Sequence, residues 1–229
     1  MTDFFRFPHT PHLTWLGAEA PRDDKVLDLA EAKALLGGKV LVEEKLDGAN
    51  LGISLAADGQ LRAQNRGQYL QDPHAGQFSR LPAWLARHGE AIRAVLRPEL
   101  LLFGEWCAAR HSLDYAALPD WFLLFDVYDH RSGKFWSSTR RNALAAQVGL
   151  KLVPQVFCGH TSVKELIERV QNTPSHYRSG PLEGLVVRRE SADWCEARAK
   201  LVRADFTQAI EQHWRKRAIE WNRVDYNAQ

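Results

Sequence analysis

No apolar run in the 229-residue chain reaches the roughly 18 residues that a bilayer span needs. The start, Met1-Thr2-Asp3-Phe4-Phe5-Arg6, also lacks the basic-then-apolar order of a secretory signal. The expectation is a cytoplasmic protein with no membrane partner. Cysteine is scarce: Cys107, Cys158 and Cys195 are odd in number and without C-x-x-C spacing, which argues against a disulfide framework and a structural zinc site. Neither sign of charge dominates. Thirty Lys and Arg against 28 Asp and Glu leave a formal +2, so charge alone selects no partner, although a local basic groove is compatible with it. Repeats, low-complexity tracts and Gly/Ser linkers are missing as well, so one compact domain spanning 1–229 is expected. What is present is ordinary globular material, 45% hydrophobic and 25% charged, long enough to bury a core without staples.

The periodicities alternate between helix and strand in a mixed order, which predicts an α+β fold. A helix is expected over 28–36, closed by Gly37-Gly38, then a strand over 40–44 that enters the turn Leu46-Asp47-Gly48-Ala49-Asn50. Strands over 51–57 and 60–64 flank Asp58-Gly59, a hairpin signal. An apolar stripe through Leu81, Trp84, Leu85, Ile92 and Val95 marks a helix that Pro98 stops. Strands follow over 100–106 and 121–128, helices over 139–148 and 162–170, and a single strand over 151–157 between those helices. Short strands over 185–189 and 199–202 precede a C-terminal helix over about 205–223, spaced by Ile210, Trp214, Ala218 and Trp221, with Arg215, Lys216, Arg217 and Arg223 on or near its wet face.

The informative segment is Glu43-Glu44-Lys45-Leu46-Asp47-Gly48-Ala49-Asn50, where a lysine ends a strand and a tight polar turn follows. A strand end gives the amine a fixed direction; Gly48 permits backbone conformations other residues resist, and Asp47 and Asn50 add polar groups beside it. Such a lysine could be a nucleophile. Its ordinary pKa of about 10.4 leaves roughly one amine in a thousand unprotonated at neutral pH, so burial or another cation must help it. In isolation the motif more often marks a surface hairpin with a solvated lysine. What selects the catalytic reading is an ordered set of strand-associated segments downstream: Asn65-Arg66-Gly67, Phe103-Gly104-Glu105-Trp106, Phe122 to Val127, Glu183 to Arg188, and Arg198-Ala199-Lys200.

With these six segments in this order the chain resembles the covalent nucleotidyltransferases, and most strongly the RNA ligase 2-like family of ATP-dependent RNA ligases, over about 40–206. The resemblance implies an ATP-grasp-like adenylation domain with antiparallel sheets flanked by helices. It implies that Lys45 attacks the α-phosphorus of ATP, releases pyrophosphate and holds AMP as a phosphoramide. AMP then passes to a 5′-phosphate, and a 3′-hydroxyl closes the phosphodiester. Arg66 corresponds to an arginine near phosphate and ribose, Glu105 to a ribose contact, and Phe125 to the aromatic that stacks on adenine; plain core packing is the alternative for Phe125. Glu44, Asp47, Asn50 and Arg198 are expected around the nucleotide. Glu183 and Asp126 are the expected partners of Mg²⁺, with Mn²⁺ as a substitute; for both, an ion pair with Arg or Lys is the alternative. Lys200 is expected at the α-phosphate. A shifted register would place Lys200 first and Val202 second, with Arg203 compensating.

An N-terminal leader of about 38 residues carries His12 and Lys25 as candidates for contacts to phosphate or to an RNA end. The 29 residues after Lys200 are too few for the oligonucleotide-binding barrel of DNA ligases and capping enzymes. The expected partners are RNA ends or a nicked duplex, with DNA open. Two other readings remain: an ATP-dependent DNA nick ligase, and a catalytically idle nucleotide- or RNA-binding module. The basic C-terminal helix, together with Trp84, Trp106, Trp136, Trp194, Trp214 and Trp221, is a candidate nucleic-acid surface, with core packing the alternative for the tryptophans.

Overall fold

A computed structural model describes residues 4–18, 25–209 and 218–226. Helix α1 (Leu29–Leu36) starts where Asp28 and Glu31 cap each other reciprocally, satisfying two donors of its first turn. Beyond Gly37-Gly38, β1 (Val40–Lys45) is followed by β2 (Ala49–Leu55) and β3 (Leu61–Gln64), the last two a hairpin with Gly59 at φ 77° in its turn. Helix α2 (Leu81–Val95) buries Leu81, Trp84 and Ile92, and the chain turns extended at Leu96, two residues before Pro98. Strands β4 (Leu100–Trp106), β5 (Phe122–Asp129) and β6 (Lys134–Phe135) come next. Helix α3 (Ser138–Val148) is capped by Ser137 and ends on Gly149 at φ 70°, the left-handed cap that glycine adopts without strain. The remaining elements are β7 (Lys151–Leu152), β8 (Gln155–Gly159), α4 (Val163–Asn172), β9 (Gly184–Glu190), β10 (Cys195–Val202) and α5 (Ala204–Ala209).

The strands form two sheets. One has the order β10-β9-β1-β8; the other runs β3-β2-β4-β5-β6, with β7 added parallel to β5. All other pairings are antiparallel, and among the described residues neither sheet closes into a barrel. A large core lies between the six-stranded sheet and α2 and α3, with Leu51, Ile53, Trp106, Phe122, Leu124 and Val148 among its members. A second, between the four-stranded sheet and α1 and α4, holds Leu35, Val42, Leu166, Val170, Leu185 and Leu201. The opposite faces of both sheets contribute side chains to one shared cavity.

Two segments carry the chain from one sheet to the other. Leu46-Asp47-Gly48 leads β1 into β2. The single strand expected over 151–157 is instead cut at Val153-Pro154, so that Lys151 and Leu152 pair with β5 while 155–159 pair with β1. Proline supplies no N–H to a ladder, and the Pro154 carbonyl accepts the Glu44 N–H at 2.8 Å as the chain changes sheets.

The C-terminal expectation is corrected. Helix α5 covers its start, and 210–217, with Ile210, Trp214 and Arg215 to Arg217, lie outside the described residues. Residues 218–226 are not helical. There Trp221 bridges Ala109 and Val224 bridges Leu118, while the buried Asn222 amide donates to the Cys107 carbonyl and accepts from the Tyr115 N–H. Those hydrogen bonds replace the ones a helix would supply. Trp84, Trp106 and Trp136 are core residues, and Trp194 and Trp221 pack against the same core. No helix among the described residues is long and apolar enough to cross a membrane.

Candidate active site

The cavity between the sheets measures about 620 Å³. Strand alternation builds its walls. On β9, Leu185 and Val187 enter the core while Val186 and Arg188 line the cavity; on β10, Ala199 and Leu201 enter the core while Arg198 and Lys200 line it. Lys45, Asn50, Arg66, Glu105, Phe125 and Asp126 come from the other walls, so residues 155 positions apart in the chain share one space. Arg203, the compensating residue of the shifted register, is instead paired with Asp205.

Lys45 stands at the end of β1, and its Nζ hydrogen-bonds Oε1 of Glu183, the residue that leads into β9. Glu183 is 4% exposed, and its second oxygen, Oε2, is buried without a hydrogen-bond partner. Burial pushes the Glu183 carboxyl up to about 8 against the pull of Lys45. For Lys45, burial lowers the pKa, but the charges of Glu183 and Glu105 outweigh it and hold the amine above its ordinary value. Of the two aids expected from sequence, burial or another cation, burial does act on the amine, but the neighbouring carboxylates outweigh it. Its closest charges are carboxylates, which store it as an ammonium.

Glu105 occupies the position opposite Asn50 in the β2–β4 ladder, and its Oε1 accepts the Gly48 N–H at 2.9 Å. Burial raises its carboxyl to about 7. Gly48 is needed for a different reason from the one expected. It does not adopt a left-handed conformation; a Cβ there would stand 2.6 Å from the Trp106 carbonyl oxygen, so only glycine lets the Lys45 turn run against β4. Asn50 lines the cavity with Oδ1 buried and unpartnered.

Two expected nucleotide contacts are structural. The Asp47 carboxylate accepts the N–H groups of Ser112 and Leu113, both at 2.7 Å, and its own N–H donates to the Tyr115 hydroxyl. Glu44 borders the cavity, but its carboxylate is occupied by Ser175 Oγ at 2.6 Å and by the backbone and ring of His176. Alternation along β1 aims it opposite to Lys45.

The β4–β5 ladder contains a bulge. Phe103 faces Asp126 and Gly104 faces Leu124, so Phe125 is the extra residue. Simple alternation would place Asp126 with Phe122 and Leu124 in the core. Past the bulge it is Val127 that joins them there, and Phe125 and Asp126 both line the cavity. Phe125 is half-buried, with its ring edge-on to Phe7 at 5.3 Å. Gly104 is required opposite, since a Cβ would come within 2.3 Å of the Phe122 ring.

Asp126, for which a metal and an ion pair are the two expectations, is ion-paired in this structure: Oδ1 accepts from Arg188 at 2.8 Å and Oδ2 from Arg198. Arg198 therefore reaches the cavity as part of this cluster, its guanidinium also lying over the rings of Phe7 and Phe135 at 4.6 and 4.0 Å. Among the described residues no group of three or more His, Cys, Asp or Glu could cage a metal. The Glu183 Oε2 atom is the oxygen acceptor that fits a largely hydrated cation.

Several site residues were not singled out from sequence. Arg188 and Arg141 are fully buried, the latter paired with Glu43 at 2.6 Å. A signal for Arg141 existed: 141, 144, 145 and 148 form one apolar stripe on α3, and an arginine on such a stripe needs a buried partner. Phe7, His9 and Thr10 of the leader also line the cavity. The leader continues beside β10 as an isolated parallel bridge at His12, with Pro11 O and Leu13 N bonded to the Lys200 backbone. His12 is buried in that pairing, and Lys25 pairs with Glu31 at α1 and is absent from the cavity wall.

No curated protein matches the chain in sequence. Its fold is similar to that of Naegleria gruberi RNA ligase. The form solved with PPi gives a TM-score of 0.64 at 19% identity, covering 93% of this chain and 65% of that one. A mutant with ATP and Mn gives 0.60 at 19%, over 77% and 53%, and a mutant with AMP and Mn gives 0.60 at 19%, over 91% and 64%. The chain thus spans between half and two thirds of the length of these structures, and the likeness is one of fold. The RNA ligase family model matches residues 38–202, from the glycine before β1 to the end of β10 and across every wall segment except the leader, so the chain belongs to the RNA ligase family.

Proposed function

We propose that the protein is an ATP-dependent RNA ligase that joins 3′-hydroxyl and 5′-phosphate ends through a lysyl-AMP intermediate, with the whole chain as one adenylation domain acting in the cytoplasm. The observation that carries this reading is Lys45 Nζ, placed in a nucleotide-sized cavity against a carboxylate whose other oxygen is buried and unpartnered. Lys45 is the nucleophile toward the α-phosphorus, and pyrophosphate is the leaving group. The ammonium must first lose a proton, and the ionised form of Glu183, whose Oε1 is in contact with it, is the acceptor. Lys200 and Arg66 are the cations for phosphate charge, Phe125 is the stacking surface for adenine, and Glu105 with Asn50 is the polar edge for ribose.

Glu183 is the residue that would hold a divalent cation, Mg²⁺ or Mn²⁺. When bound, the cation supplies charge neutralisation for the phosphates and competes with Lys45 for the carboxylate. Both Asp126 oxygens are already engaged by arginines.

Incubation with α-labelled ATP and Mg²⁺ tests this reading. Wild type is expected to yield a protein–AMP adduct that Lys45→Ala lacks, with GTP labelling poorly. Failure of wild type to label refutes it and leaves an idle binding module. A nicked duplex with RNA on the 3′-hydroxyl side is expected to be sealed in preference to the all-DNA nick; the opposite preference assigns a DNA nick ligase.

A further inference from the structure

The bulge that puts Phe125 into the cavity is held in part by a side chain from behind the cavity wall. On one side of β5, β4 skips Phe125. On the other side β7 pairs with Leu123 and Leu124 and β6 with Tyr128 and Asp129, leaving a gap at Phe125 and Asp126. In the register of both edges Phe125 therefore has no partner. Two guanidinium groups fill the gap: Arg141 Nη1 donates to the Phe125 carbonyl at 2.7 Å and Arg188 Nη1 at 3.3 Å. Arg141 is fixed in turn by Glu43 at 2.6 Å and by Asn142 at 2.9 and 3.0 Å. It projects from α3 and, unlike Arg188, is not part of the cavity wall.

We propose that Arg141 is a positioning residue that sets nucleotide affinity by holding the Phe125 bulge, and so the aromatic wall, in place. The inference rests on the reading of the cavity as a nucleotide site. It requires arginine in particular. The planar fork bonds the Phe125 carbonyl, Glu43 and Asn142 at once, which a lysine ammonium on a flexible stem cannot reproduce with the same directions. Without the Arg141 bond, the strand has an open route back to regular alternation, which would turn Phe125 or Asp126 away from the cavity.

The experiment measures ATP dependence of adduct formation, with equilibrium ATP binding alongside, for wild type, Arg141→Met, Arg141→Lys, Phe125→Ala and the double variant Phe125→Ala/Arg141→Met. Phe125→Ala is expected to raise KM for ATP about tenfold or more, the lower range of base–aromatic stacking. Arg141→Met is expected to raise it to a similar extent while kcat at saturating ATP stays within about twofold, with Arg141→Lys intermediate. Inhibition by pyrophosphate, which has no base, is expected to be unchanged. The two substitutions are expected not to add, because both act through one ring.

Independent, multiplicative effects, or a fall in kcat with KM unchanged, would overturn the proposal. If Arg141→Met does not fold, Arg141→Lys, which keeps a cation opposite Glu43, carries the same comparison; an Arg141→Lys chain with wild-type ATP affinity then refutes it. A wild type that binds ATP without labelling ends the ligase reading but leaves the affinity comparison decisive. A wild type that neither labels nor binds ATP ends both.

Discussion

Replacing Glu105 by glutamine tests the electrostatics of the cavity without emptying it. The Glu105 carboxyl is raised from 4.5 to about 7, chiefly by burial and further by Asp47, against the pull of Lys45. A carboxyl raised on folding retains its proton in the native state while the unfolded chain has already released it. Its contribution to stability is therefore complete below the unfolded value and is lost as pH rises through the folded one. Between about pH 5.5 and about pH 8.5 this removes up to about 2 kcal/mol from the wild type. Glutamine does not titrate, and its amide oxygen can still accept the Gly48 N–H that Glu105 accepts at 2.9 Å. Urea melts of nucleotide-free, metal-free protein at the two pH values supply a double difference in which every other titrating group cancels to first order. Glu105→Gln is expected to lose less stability than wild type over that interval, by about 1–2 kcal/mol. Equal losses for the two proteins would refute the assignment of a raised, native-state carboxyl at this position.

Two further substitutions probe how the walls are held. Gly48→Ala forces a Cβ to within 2.6 Å of the Trp106 carbonyl, a backbone atom that cannot swing aside; it should destabilise the chain by about 1–3 kcal/mol and cut the adenylylation rate at least as strongly, read by thermal melts and adduct labelling. Phe7→Ala removes a ring that lies 5.3 Å edge-on to Phe125 and 4.6 Å beneath the Arg198 guanidinium, and should raise KM for ATP by about three- to tenfold, from an edge-to-face pair worth about 0.5–1.5 kcal/mol. Unchanged KM in that variant would show that the leader only covers the core.

Most of the architecture was legible because it is written in local patterns. The capping box at Asp28 and Glu31, the Asp58-Gly59 hairpin, the stripe on α2 and the alternation of β9 and β10 each act over a few residues. The boundaries that failed depend on distant partners. Pro154 was read within one strand because nothing local shows that 151–152 and 155–159 belong to different sheets. Asn222 ends any helical continuation by binding Cys107 and Tyr115, more than 100 residues earlier. The site divides in the same way. Motif spacing located Lys45, Glu105 and Lys200 on one cavity, with Glu183 hydrogen-bonded to the lysine, whereas Asp47 and Glu44, adjacent to the lysine in sequence, proved to anchor loops.

The bulge shows why strand alternation alone does not predict where Asp126 points. One extra residue moves an acidic side chain from a hydrophobic core to a cavity, and the charge there is matched by partners from two other elements, Arg188 on β9 and Arg198 on β10. Glu43, Asp126 and Glu190 bring three carboxylates, and Arg141, Arg188 and Arg198 bring three guanidiniums, from β1, β5, β9, α3 and β10. A buried cluster of this kind contributes little net stability, because desolvation offsets most of the attraction. Its members do, however, fix geometry between elements that belong to different sheets. β1 presents the lysine from one sheet and β5 presents the aromatic ring from the other, and Arg141 touches both through Glu43 and the Phe125 carbonyl. The separation of Lys45 from the Phe125 ring is therefore constrained by the same side chain that makes the bulge tolerable, and a hydrophobic repacking of this cluster that preserved the fold would still lose that constraint.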